Sequence, residues 1–371
     1  MGLGTRAVEG VAVTPDRWRG RRVLVTGHTG FKGGWLALAL ADMGAEVHGI
    51  SLPPPTEPSM FETCRIARRL AGHAIVDIRD PGGVRTAVAA ARPEVVFHLA
   101  AQPLVRRSYR EPVETYATNV MGTVHVLQAA LEAGCVRAIV SVTSDKCYEN
   151  RERPEPYRED EAMGGFDPYS SSKGCAELAT AAWRRSFLAP AGIRAATARA
   201  GNVIGGGDWA EDRLVPDFLR AIDAGQELVL RSPRATRPWQ HVAEPVEGYL
   251  LLAERLLAAD GERFADAWNF GPAAGDMREV QWIVDRLCQG MPGARWRIDG
   301  GERPHEAGLL ALDSAKARSI LGWAPRWDAA EAIRRTIDWH RAWRAGEDMQ
   351  AFTLAQWREH AMAAAVAGGG R

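Results

Sequence analysis

The chain has 371 residues, and its 46 basic and 46 acidic side chains give a formal net charge of zero. That balance argues against nucleic acid or an acidic membrane surface as the main partner, because both attract clustered positive charge. The sequence has no apolar run long enough to span a membrane, and residues 1–19 lack the apolar core of a secretory signal. Five cysteines without a Cys-x-x-Cys pair predict no disulfide framework, and no residue cluster has metal-ligand spacing. We therefore expect a cytoplasmic protein.

Strands and helices alternate over the first 200 residues. After a leader at residues 1–15, apolar runs predict strands at 22–26, 45–50, 74–77, 94–100, 138–143 and 195–198. Helical patterns end near Gly44 and at Ala91, and longer helices are predicted over 115–133 and 167–187, the last with Pro168 in a tolerated early position. The run at 94–100 is almost continuously apolar, which indicates a strand buried on both faces of a parallel sheet.

This alternation predicts an α/β fold, a Rossmann-type doubly wound parallel sheet with right-handed crossovers. After Gly201 the pattern loosens into short mixed elements, which predicts a smaller α+β lobe. We expect a dinucleotide-binding domain over 16–200, to which a segment near 237–272 returns. The substrate lobe then covers 201–236 and 273–350, and a C-terminal helix and tail cover 351–371. Ligands of such sheets bind outside the carboxyl ends of the strands.

A glycine-rich turn, Thr26 to Gly33, follows the first predicted strand and opens the first predicted helix. A strand, a glycine turn and a helix together aim backbone N–H groups at a pyrophosphate. The spacing is Gly-x-x-Gly-x-x-Gly, and three glycines near a turn are common in α/β proteins. The turn alone is therefore a weak sign of dinucleotide binding.

A tyrosine and a lysine four residues apart, Tyr169 and Lys173, share one face of a predicted helix. Lowering the pKa of a phenol from about 10 to about 7 requires roughly 4 kcal/mol of preferential stabilisation of the phenolate. A lysine ammonium and the positive nicotinamide ring of an oxidised cofactor would together supply it. The alternative is a surface tyrosine beside an exposed lysine, but the position one crossover after a buried strand favours the catalytic interpretation.

These motifs resemble those of the extended short-chain dehydrogenase/reductase superfamily. The resemblance covers most of the chain, leader and tail excepted, and rests on the glycine turn, His98-Leu99-Ala100-Ala101, Asn119-Val120-x-Gly122-Thr123, Ser144 and Tyr169-x-x-x-Lys173. It implies NAD or NADP as cofactor and a nucleotide-linked sugar as substrate. It also implies that Tyr169 removes the proton of the sugar 4-hydroxyl, that Lys173 bonds the nicotinamide ribose, and that Ser144 polarises the 4-oxygen.

Ser144-Asp145-Lys146 stands where nucleotide-sugar 4,6-dehydratases hold a second acid/base pair. The lysine, with His28 and Lys32 in the glycine turn, resembles the CDP-glucose 4,6-dehydratase subfamily. Three further runs do so as well: Pro53-Pro54-Pro55-Thr56, Asn202 to Trp209, and Arg237 to Val242. The resemblance implies a lyase that converts CDP-glucose to a 4-keto-6-deoxy sugar nucleotide and water. The implied steps are oxidation at carbon 4, elimination across carbons 5 and 6, and hydride return to carbon 6.

The second acid/base pair has two possible assignments. The resemblance implies Lys146 as the base at carbon 5 and Asp145 as the acid at the carbon 6 oxygen. A lysine base must be neutral, and lowering its pKa from about 10.4 to near 7 corresponds to about 4 kcal/mol of disfavoured charge. A lysine that stays charged would instead stabilise the enolate, while Asp145 or a water molecule moves the protons.

The residues alone leave NAD and NADP open. Ile50-Ser51-Leu52, at the end of the second strand, offers neither the acid that favours NAD nor a basic group for a 2′-phosphate; the resemblance favours NAD. Asp77 is either a cofactor contact or a helix or turn cap. His98 is either a structural group or a group next to the cofactor. Candidate cofactor contacts are Gly27, His28, Thr29, Gly30, Phe31, Lys32, Gly33, Asp77, Ile78, Leu99, Ala100, Ala101, Asn119, Tyr169 and Lys173.

Candidate substrate contacts are Gln102, Asn202, Arg231, Arg237 and His241. Arg237 is the first choice for the diphosphate because a guanidinium forms bidentate bonds with phosphate. His241 is equally well a structural histidine. The predicted helices over 115–133 and 167–187 match those that pair subunits in the superfamily, which implies a homodimer or a dimer of dimers.

Two other functions are compatible with the same fold. A nucleotide-sugar 4-epimerase needs Tyr169 and Lys173 but no acid/base pair at positions 145 and 146. A non-catalytic dinucleotide-binding regulator needs neither pair, and such proteins often lose the tyrosine or the lysine, whereas both are present here.

Overall fold

The computed structural model describes residues 11–273, 276–299 and 308–369. Residues 1–10 of the expected leader, and residues 274–275, 300–307 and 370–371 of the expected lobe and tail, lie outside the described residues. The strands are β1 Arg22–Thr26, β2 Glu46–Ser51, β3 Gly72–Ile75, β4 Val95–His98, β5 Ala138–Val142, β6 Arg194–Ala200, β7 Val203–Ile204, β8 Leu228–Leu230, β9 Thr236–Pro238, β10 Gln240–His241, β11 Ala267–Phe270, β12 Met277–Glu279 and β13 Trp296–Ile298. The α-helices are α1 Phe31–Asp42, α2 Met60–Thr63, α3 Pro81–Ala91, α4 Val105–Arg110, α5 Pro112–Tyr116, α6 Gly122–Glu132, α7 Pro168–Trp183, α8 Leu214–Asp223, α9 Ala243–Leu257, α10 Val280–Gly290, α11 Ala329–Arg344 and α12 Met349–Gly369.

Seven strands form one parallel sheet in the order β11-β6-β5-β4-β1-β2-β3. The chain runs outward from β1 to β3 and then returns to the other side of β1 with β4. The order therefore reverses between β1 and β4, and this is where doubly wound sheets bind their ligands. The predicted doubly wound parallel sheet is confirmed. The strand β11 pairs with β6, so the segment near residue 270 joins the sheet.

The sheet separates two apolar cores because alternate side chains of each strand point to opposite faces. In β1, Val23 and Val25 face a core shared with α1 and α9, while Leu24 faces a core shared with α3 and α6. A third core joins α8, α10 and α11 and holds the smaller lobe together. Helix α12 packs its Leu354 and Trp357 into the first core.

Several predicted elements have different limits in the structure. β3 is Gly72–Ile75 rather than 74–77, so Asp77 lies in the turn after the strand. β4 ends at His98: Leu99 N donates to both the Thr26 carbonyl, at 3.2 Å, and Thr26 Oγ1, at 3.1 Å, and Ala100 N donates to Thr26 Oγ1 at 3.1 Å.

The predicted helix over 115–133 starts earlier, at Pro112, and continues through a π-helical segment, Ala117–Met121, into α6. A proline at the first helical position loses no hydrogen bond, which explains the early start. The predicted helix over 167–187 ends likewise in a π-helical segment, Arg184–Leu188.

The described part of the expected leader contacts the body of the protein. Val11 N donates to the Gly322 carbonyl at 2.9 Å, and Thr14 N donates to Glu254 Oε1 at 2.9 Å. The division into domains stays a prediction. No helix in the described ranges is long and apolar enough to cross a membrane.

Candidate active site

The glycine turn connects β1 to α1 with no room for side chains at two of its glycines. Gly27 has φ +79°, and a Cβ atom there would lie 2.8 Å from the backbone nitrogen of Ala100. A Cβ atom on Gly33 would lie 2.1 Å from the carbonyl oxygen of Gly27. The turn is therefore pressed against both the loop after β4 and the first turn of α1, which only glycine allows.

The open side of this turn suits a pyrophosphate. Gly30 is the N-cap of α1 and provides no side-chain cap, and the first turn of the helix contains no acidic residue. A Cβ atom on Gly30 would meet the Gly27 carbonyl at 3.4 Å and no side chain of the described residues within 4 Å. Uncapped N–H groups and the positive end of the helix dipole favour an anion at this position. Thr29 ties the turn to the end of β2 through Ser51 Oγ, at 2.8 Å.

The loop after β4, Leu99 to Gln102, is fixed by side chains from neighbouring elements. His98 is buried, with Nδ1 2.8 Å from Thr26 Oγ1 and Nε2 3.0 Å from Thr123 Oγ1, which fits the structural interpretation. Asn119 accepts from the backbone N of Gln102 at 2.8 Å and donates to its carbonyl at 3.1 Å. Asn119 also donates to Ser172 Oγ in α7 at 2.9 Å, so one amide joins this loop to the helix that carries the tyrosine.

Asp77 and Ile78 lie at the same edge of the sheet, after β3. Asp77 accepts from Arg79 Nε and from its backbone N at 2.9–3.0 Å, and these bonds hold the pKa of the carboxyl below its usual value. The Ile78 carbonyl lies 2.9 Å from His125 Nδ1.

His28 and Lys32 occupy opposite surroundings although they share one turn. The His28 ring is buried edge-on against Phe61 and His73 at 5.4 and 5.5 Å, and burial lowers its pKa to about 4. Lys32 instead lies close enough to the catalytic groups for the charges of Lys173 and Asp145 to change its pKa. Burial lowers its pKa to about 8, with smaller effects of the same sign from Arg213 and Lys173. We therefore find Lys32, but not His28, among the groups at the reacting end of the site.

Ser144, Asp145 and Lys146 follow β5, where Asp145–Cys147 form a short helical turn. Ser144 Oγ accepts from Lys146 N at 3.2 Å and donates to Asp145 Oδ1 at 3.0 Å. Asp145 Oδ2 is buried and has no hydrogen-bond partner within the part of the chain that the structure describes. Burial raises the pKa of Asp145, although Lys146, Ser144 and Arg237 oppose the shift. A carboxyl in these surroundings holds a proton more readily than an exposed one.

Helix α7 places Tyr169 and Lys173 beside this turn. Asp167 caps the helix by accepting from Ser170 N at 2.9 Å, and Pro168 occupies the first helical position. Tyr169 is buried and lies close enough to Ser144 for that hydroxyl to lower the pKa of the phenol. Lys173 Nζ donates to the Val142 carbonyl at 3.3 Å. The structure thus brings all five predicted catalytic residues to the carboxyl end of β5.

The pKa of Tyr169 is raised to about 12 by burial, which outweighs the opposing effects of Ser144 and Arg213. Lowering the pKa of this phenol from about 12 to about 7, so that it can act as a base at neutral pH, requires about 7 kcal/mol of preferential stabilisation of the phenolate. The neighbouring groups of the protein do not supply this by themselves. A bound cation, such as an oxidised nicotinamide ring, would supply the missing positive charge.

Residues 24–336 match the family model described as GDP-mannose 4,6 dehydratase. Over 338 residues the chain is 53% identical to CDP-glucose 4,6-dehydratase of Salmonella typhimurium, a match that covers 90% of this chain and 94% of that protein. The chain belongs to the GDP-mannose 4,6 dehydratase family. The resemblance to the extended short-chain dehydrogenase/reductases is thereby confirmed. A dTDP-glucose 4,6-dehydratase of Xanthomonas campestris pv. campestris is 26% identical, over 85% of this chain and 92% of that protein.

Solved structures of the superfamily share the fold of this GDP-mannose 4,6 dehydratase family member. A UDP-glucose 4-epimerase of Thermotoga maritima, solved with UDP-glucose, aligns with a TM-score of 0.75 at 24% identity and covers 87% of this chain and 99% of its own. A dTDP-glucose 4,6-dehydratase of Streptomyces venezuelae, solved with NAD, aligns with a TM-score of 0.74 at 24% identity, covering 89% and 99%.

Among the predicted substrate contacts of this family member, Arg237 is the one whose charge acts on a predicted catalytic residue, Asp145. It is buried and donates to the Thr236 and Gly308 carbonyls at 3.0 and 3.1 Å. Arg231 is paired with Asp212 at 2.9 Å. The Asn202 carbonyl accepts from Gln240 N at 3.1 Å.

Two predicted substrate contacts instead form bonds within the fold. Gln102 Nε2 donates to the Leu104 carbonyl at 3.1 Å and to Thr115 Oγ1 at 2.9 Å, and its Oε1 accepts from Leu104 N at 2.6 Å. His241 has no exposed surface and lies between the rings of Trp35 and Trp327, at 5.5 and 4.9 Å. For His241 this fits the structural interpretation that the sequence left open.

Sequence reasoning missed two charged groups at the site of this family member. Arg213 is paired with Asp208 at 2.8 Å, and its charge lowers the pKa of Tyr169. Glu177 lies one helical turn beyond Lys173, and its charge raises the pKa of that lysine. The four-residue spacing from Lys173 was a signal for Glu177; no local pattern marks Arg213.

Away from these groups, Glu244 and Glu247 of α9 meet His360 of α12 in a buried cluster whose geometry would suit a metal ion. His360 Nε2 lies 3.0 Å from Glu244 Oε1, and Arg326 Nε lies 3.9 Å from Glu247 Oε2. The cluster therefore contains its own positive charge, and we interpret it as an ion-pair network between α9, α12 and the segment before α11.

Proposed function

We propose that this chain is a CDP-glucose 4,6-dehydratase, a lyase that forms CDP-4-keto-6-deoxy-glucose and water from CDP-glucose. The observation that carries the proposal is the cluster of Tyr169, Ser144 and Asp145 at the end of β5, in which Ser144 Oγ donates to Asp145 Oδ1 and lowers the pKa of the Tyr169 phenol, with Lys146 following in the chain. It places the pair that a dehydrogenase uses, Tyr169 and Lys173, beside a second acid/base pair, Asp145 and Lys146, at the carboxyl end of β5. An epimerase needs only the first pair. The 53% identity to the Salmonella enzyme supports the same reaction and substrate.

The cofactor is NAD, which, when bound, takes hydride from carbon 4 of the sugar and returns it to carbon 6. The turn from Gly27 to Gly33 would hold its pyrophosphate, with Lys32 as a nearby positive charge. Asp77 and Ile78 would contact the adenine, and the loop Leu99 to Ala101, fixed by Asn119, would line the nicotinamide side. Lys173 would bond the nicotinamide ribose.

The residues of the chain supply the proton transfers. Tyr169 takes the proton of the 4-hydroxyl, and Ser144, whose hydroxyl lies near the phenol, holds the 4-oxygen. Lys146 removes the carbon 5 proton, which the 4-ketone makes acidic, and returns a proton to carbon 5 once carbon 6 has been reduced. Asp145 gives its proton to the departing carbon 6 hydroxyl, for which its raised pKa is suited. In the alternative assignment Lys146 stays charged and stabilises the enolate.

The diphosphate of the substrate is assigned to Arg237 first, then to Arg231 and Asn202. Arg237 is buried beside Asp145, so a diphosphate there would set the sugar against the acid/base pair. Arg231 would have to exchange Asp212 for phosphate.

The protein is also proposed to be a homodimer, or a dimer of such dimers. A groove of about 600 Å³ on the outer face of α5 and α7 is lined almost entirely by apolar side chains, among them Val113, Tyr116 and Met121. Val113 is 82% exposed and Leu178 of α7 is 60% exposed. Large apolar side chains that are exposed together on one surface are typical of a protein interface.

Lys146→Ala tests whether Lys146 takes part in the elimination. If Lys146 is the base, this variant incubated with NAD and CDP-glucose in deuterium oxide should form no 4-keto-6-deoxy product and place no deuterium at carbon 5 of recovered substrate. Lys316→Ala is the matched control, because Lys316 pairs with Asp266 at 2.5 Å and has no proposed role. Product formation near the wild-type rate by Lys146→Ala would exclude an acid/base role. A 4-epimer as sole wild-type product would favour the epimerase.

A further inference from the structure

Glu177 is a buried, ionised carboxylate behind the catalytic pair, and no step above uses it. It accepts hydrogen bonds from Thr143 Oγ1, from Thr197 Oγ1 at 2.7 Å and from Arg199 Nη2 at 2.8 Å. Burial raises its pKa, but Arg199 and these bonds outweigh that effect and leave the pKa below its usual value. The carboxylate therefore stays negative throughout the neutral range.

Arg199 is itself held in place by several groups. Its Nη1 donates to Tyr148 Oη at 2.7 Å and to the Glu159 carbonyl at 3.2 Å. Both members of the Glu177–Arg199 pair are about 5% exposed. A buried pair with this many fixed partners has one defined geometry, and so it presents the carboxylate at a constant position relative to α7.

Lys173 depends on a nearby negative charge because it is buried as an ammonium. Burial lowers its pKa to about 8, and Glu177 is the principal group that opposes this shift. The backbone carbonyl of Val142, at 3.3 Å, offers one hydrogen bond but no charge. Without Glu177, the pKa of Lys173 would be lower still, and more of the lysine would be the neutral amine at neutral pH.

The other titratable groups that act on Lys173 do not replace Glu177. Burial raises the pKa of the Cys147 thiol far above its usual value, so the thiol is neutral. Burial lowers the pKa of His98 to about 3, so the ring is also neutral. Lys32, from α1, carries charge of the same sign as Lys173.

Lysine is rare in this chain, which supports a specific role for Lys173. Lysine occurs only four times, at positions 32, 146, 173 and 316, and the remaining 42 of the 46 Lys+Arg residues are arginine. An arginine keeps its proton in any protein environment, whereas a buried lysine loses it readily. A lysine that has to stay charged inside the site therefore needs a fixed counter-ion.

We propose that Glu177 is a positioning residue for the reaction, whose carboxylate keeps Lys173 protonated and seated so that its positive charge favours the phenolate of Tyr169. The role of Lys173 rests on the proposed function, but its protonation state does not. The spacing of four residues places Glu177 on the Lys173 face of α7, and the bonds from Thr143, Thr197 and Arg199 prevent it from turning away.

The test is a titration of Lys173 by NMR in the full-length protein labelled with ¹³C-lysine, which gives only four lysine side-chain signals. Lys173→Arg identifies the signal. In Glu177→Gln, the pKa of Lys173 should fall by about 1 or more, because an opposite charge has been removed from its surroundings. The control Thr197→Val removes a hydrogen bond to the same carboxylate but no charge, and should titrate as wild type. An unchanged pKa of Lys173 in Glu177→Gln would overturn the proposal.

A second variant keeps the test decisive if Glu177→Gln does not fold. Glu177→Gln combined with Arg199→Met removes both buried charges, a replacement that folded proteins often tolerate. The pKa of Lys173 should again be below the wild-type value, and a wild-type titration would contradict the role of Glu177.

Turnover provides an independent measurement. In Glu177→Gln the alkaline limb of kcat/KM should move to lower pH by the amount found for Lys173, and Glu177→Asp should restore it. An alkaline limb at the wild-type position would overturn the role in the reaction. Failure of the wild type to turn over CDP-glucose would refute the proposed function, while the lysine titration is unaffected by it.

Discussion

The replacement of Asp145 by asparagine removes one proton from the proposed mechanism and little else. An asparagine keeps the size of the side chain, and its carbonyl oxygen can still accept from Ser144 Oγ, which lies 3.0 Å from Asp145 Oδ1. It cannot give up a proton to a departing hydroxyl. The second oxygen, Oδ2, is buried without a partner among the described residues, and this is the position from which the proton would leave.

Two magnitudes follow. A positioned general acid contributes about 10²–10⁴ in rate, so Asp145→Asn should lower product formation by this factor, about 3–5 kcal/mol in the barrier to elimination. Oxidation at carbon 4 depends on Tyr169 and should persist. Because burial raises the pKa of Asp145, a neutral amide should not destabilise the fold, and Tm should be equal to or above the wild-type value.

The assay is incubation with NAD and CDP-glucose in deuterium oxide. Asp145→Asn should accumulate the near-ultraviolet absorbance of reduced nicotinamide and place deuterium at carbon 5 of recovered substrate, while little 4-keto-6-deoxy product forms. Product formation within about threefold of wild type would refute the role of Asp145 as the acid. Loss of both product and deuterium incorporation would instead make Asp145 the base at carbon 5.

Three further predictions address stability, assembly and cofactor binding. Burial lowers the pKa of His360, but Glu244 outweighs burial and raises that pKa above its usual value. The stabilisation of the fold by the protonated His360 is therefore complete below about pH 6.5 and is lost as pH rises further. The Tm deficit of His360→Gln should shrink with rising pH, and a deficit that grows with pH would contradict this prediction. Val113→Glu places a charge on the proposed dimer face and should give a monomer by analytical ultracentrifugation, whereas Ile298→Glu, at a residue 58% exposed elsewhere, should not; a monomeric wild type would exclude the dimer. Gly33→Ala puts a methyl group 2.1 Å from a backbone carbonyl oxygen, a clash that costs about 1–3 kcal/mol. The affinity for NAD, measured by calorimetry, should fall about tenfold or more. An unchanged affinity would show that the turn does not bind the cofactor.

The sheet could be predicted from the sequence because its strands are local signals. Apolar runs such as Val95 to His98 fix a buried strand, and glycines or prolines mark where the chain turns. The family motifs then identified the residues that cluster after β5. The entry of β11 at the edge of the sheet depends on pairing with a strand about 70 residues earlier, so only its approximate region was predictable.

The surroundings of individual polar side chains were not predictable in this way. Gln102 and His241 stand in motifs next to the site, but Gln102 bonds to Leu104 and Thr115, and the ring of His241 contacts Trp327, which is distant in sequence. His28 and Lys32 share one turn, yet the ring of His28 is buried beside β2, whereas the charge of Lys32 interacts with Asp145. Arg213 lies just before α8, far from the tyrosine in sequence, yet its charge acts on Tyr169.

The substrate preference of the purified protein tests the central proposal most directly. With NAD present, CDP-, dTDP-, UDP- and GDP-glucose and GDP-mannose are each assayed for the 4-keto-6-deoxy product by its absorbance in alkali. The proposed function predicts turnover of CDP-glucose with a kcat/KM at least about tenfold above that of any other sugar nucleotide. Turnover restricted to a nucleotide other than CDP, or a product that has not lost water, would contradict it.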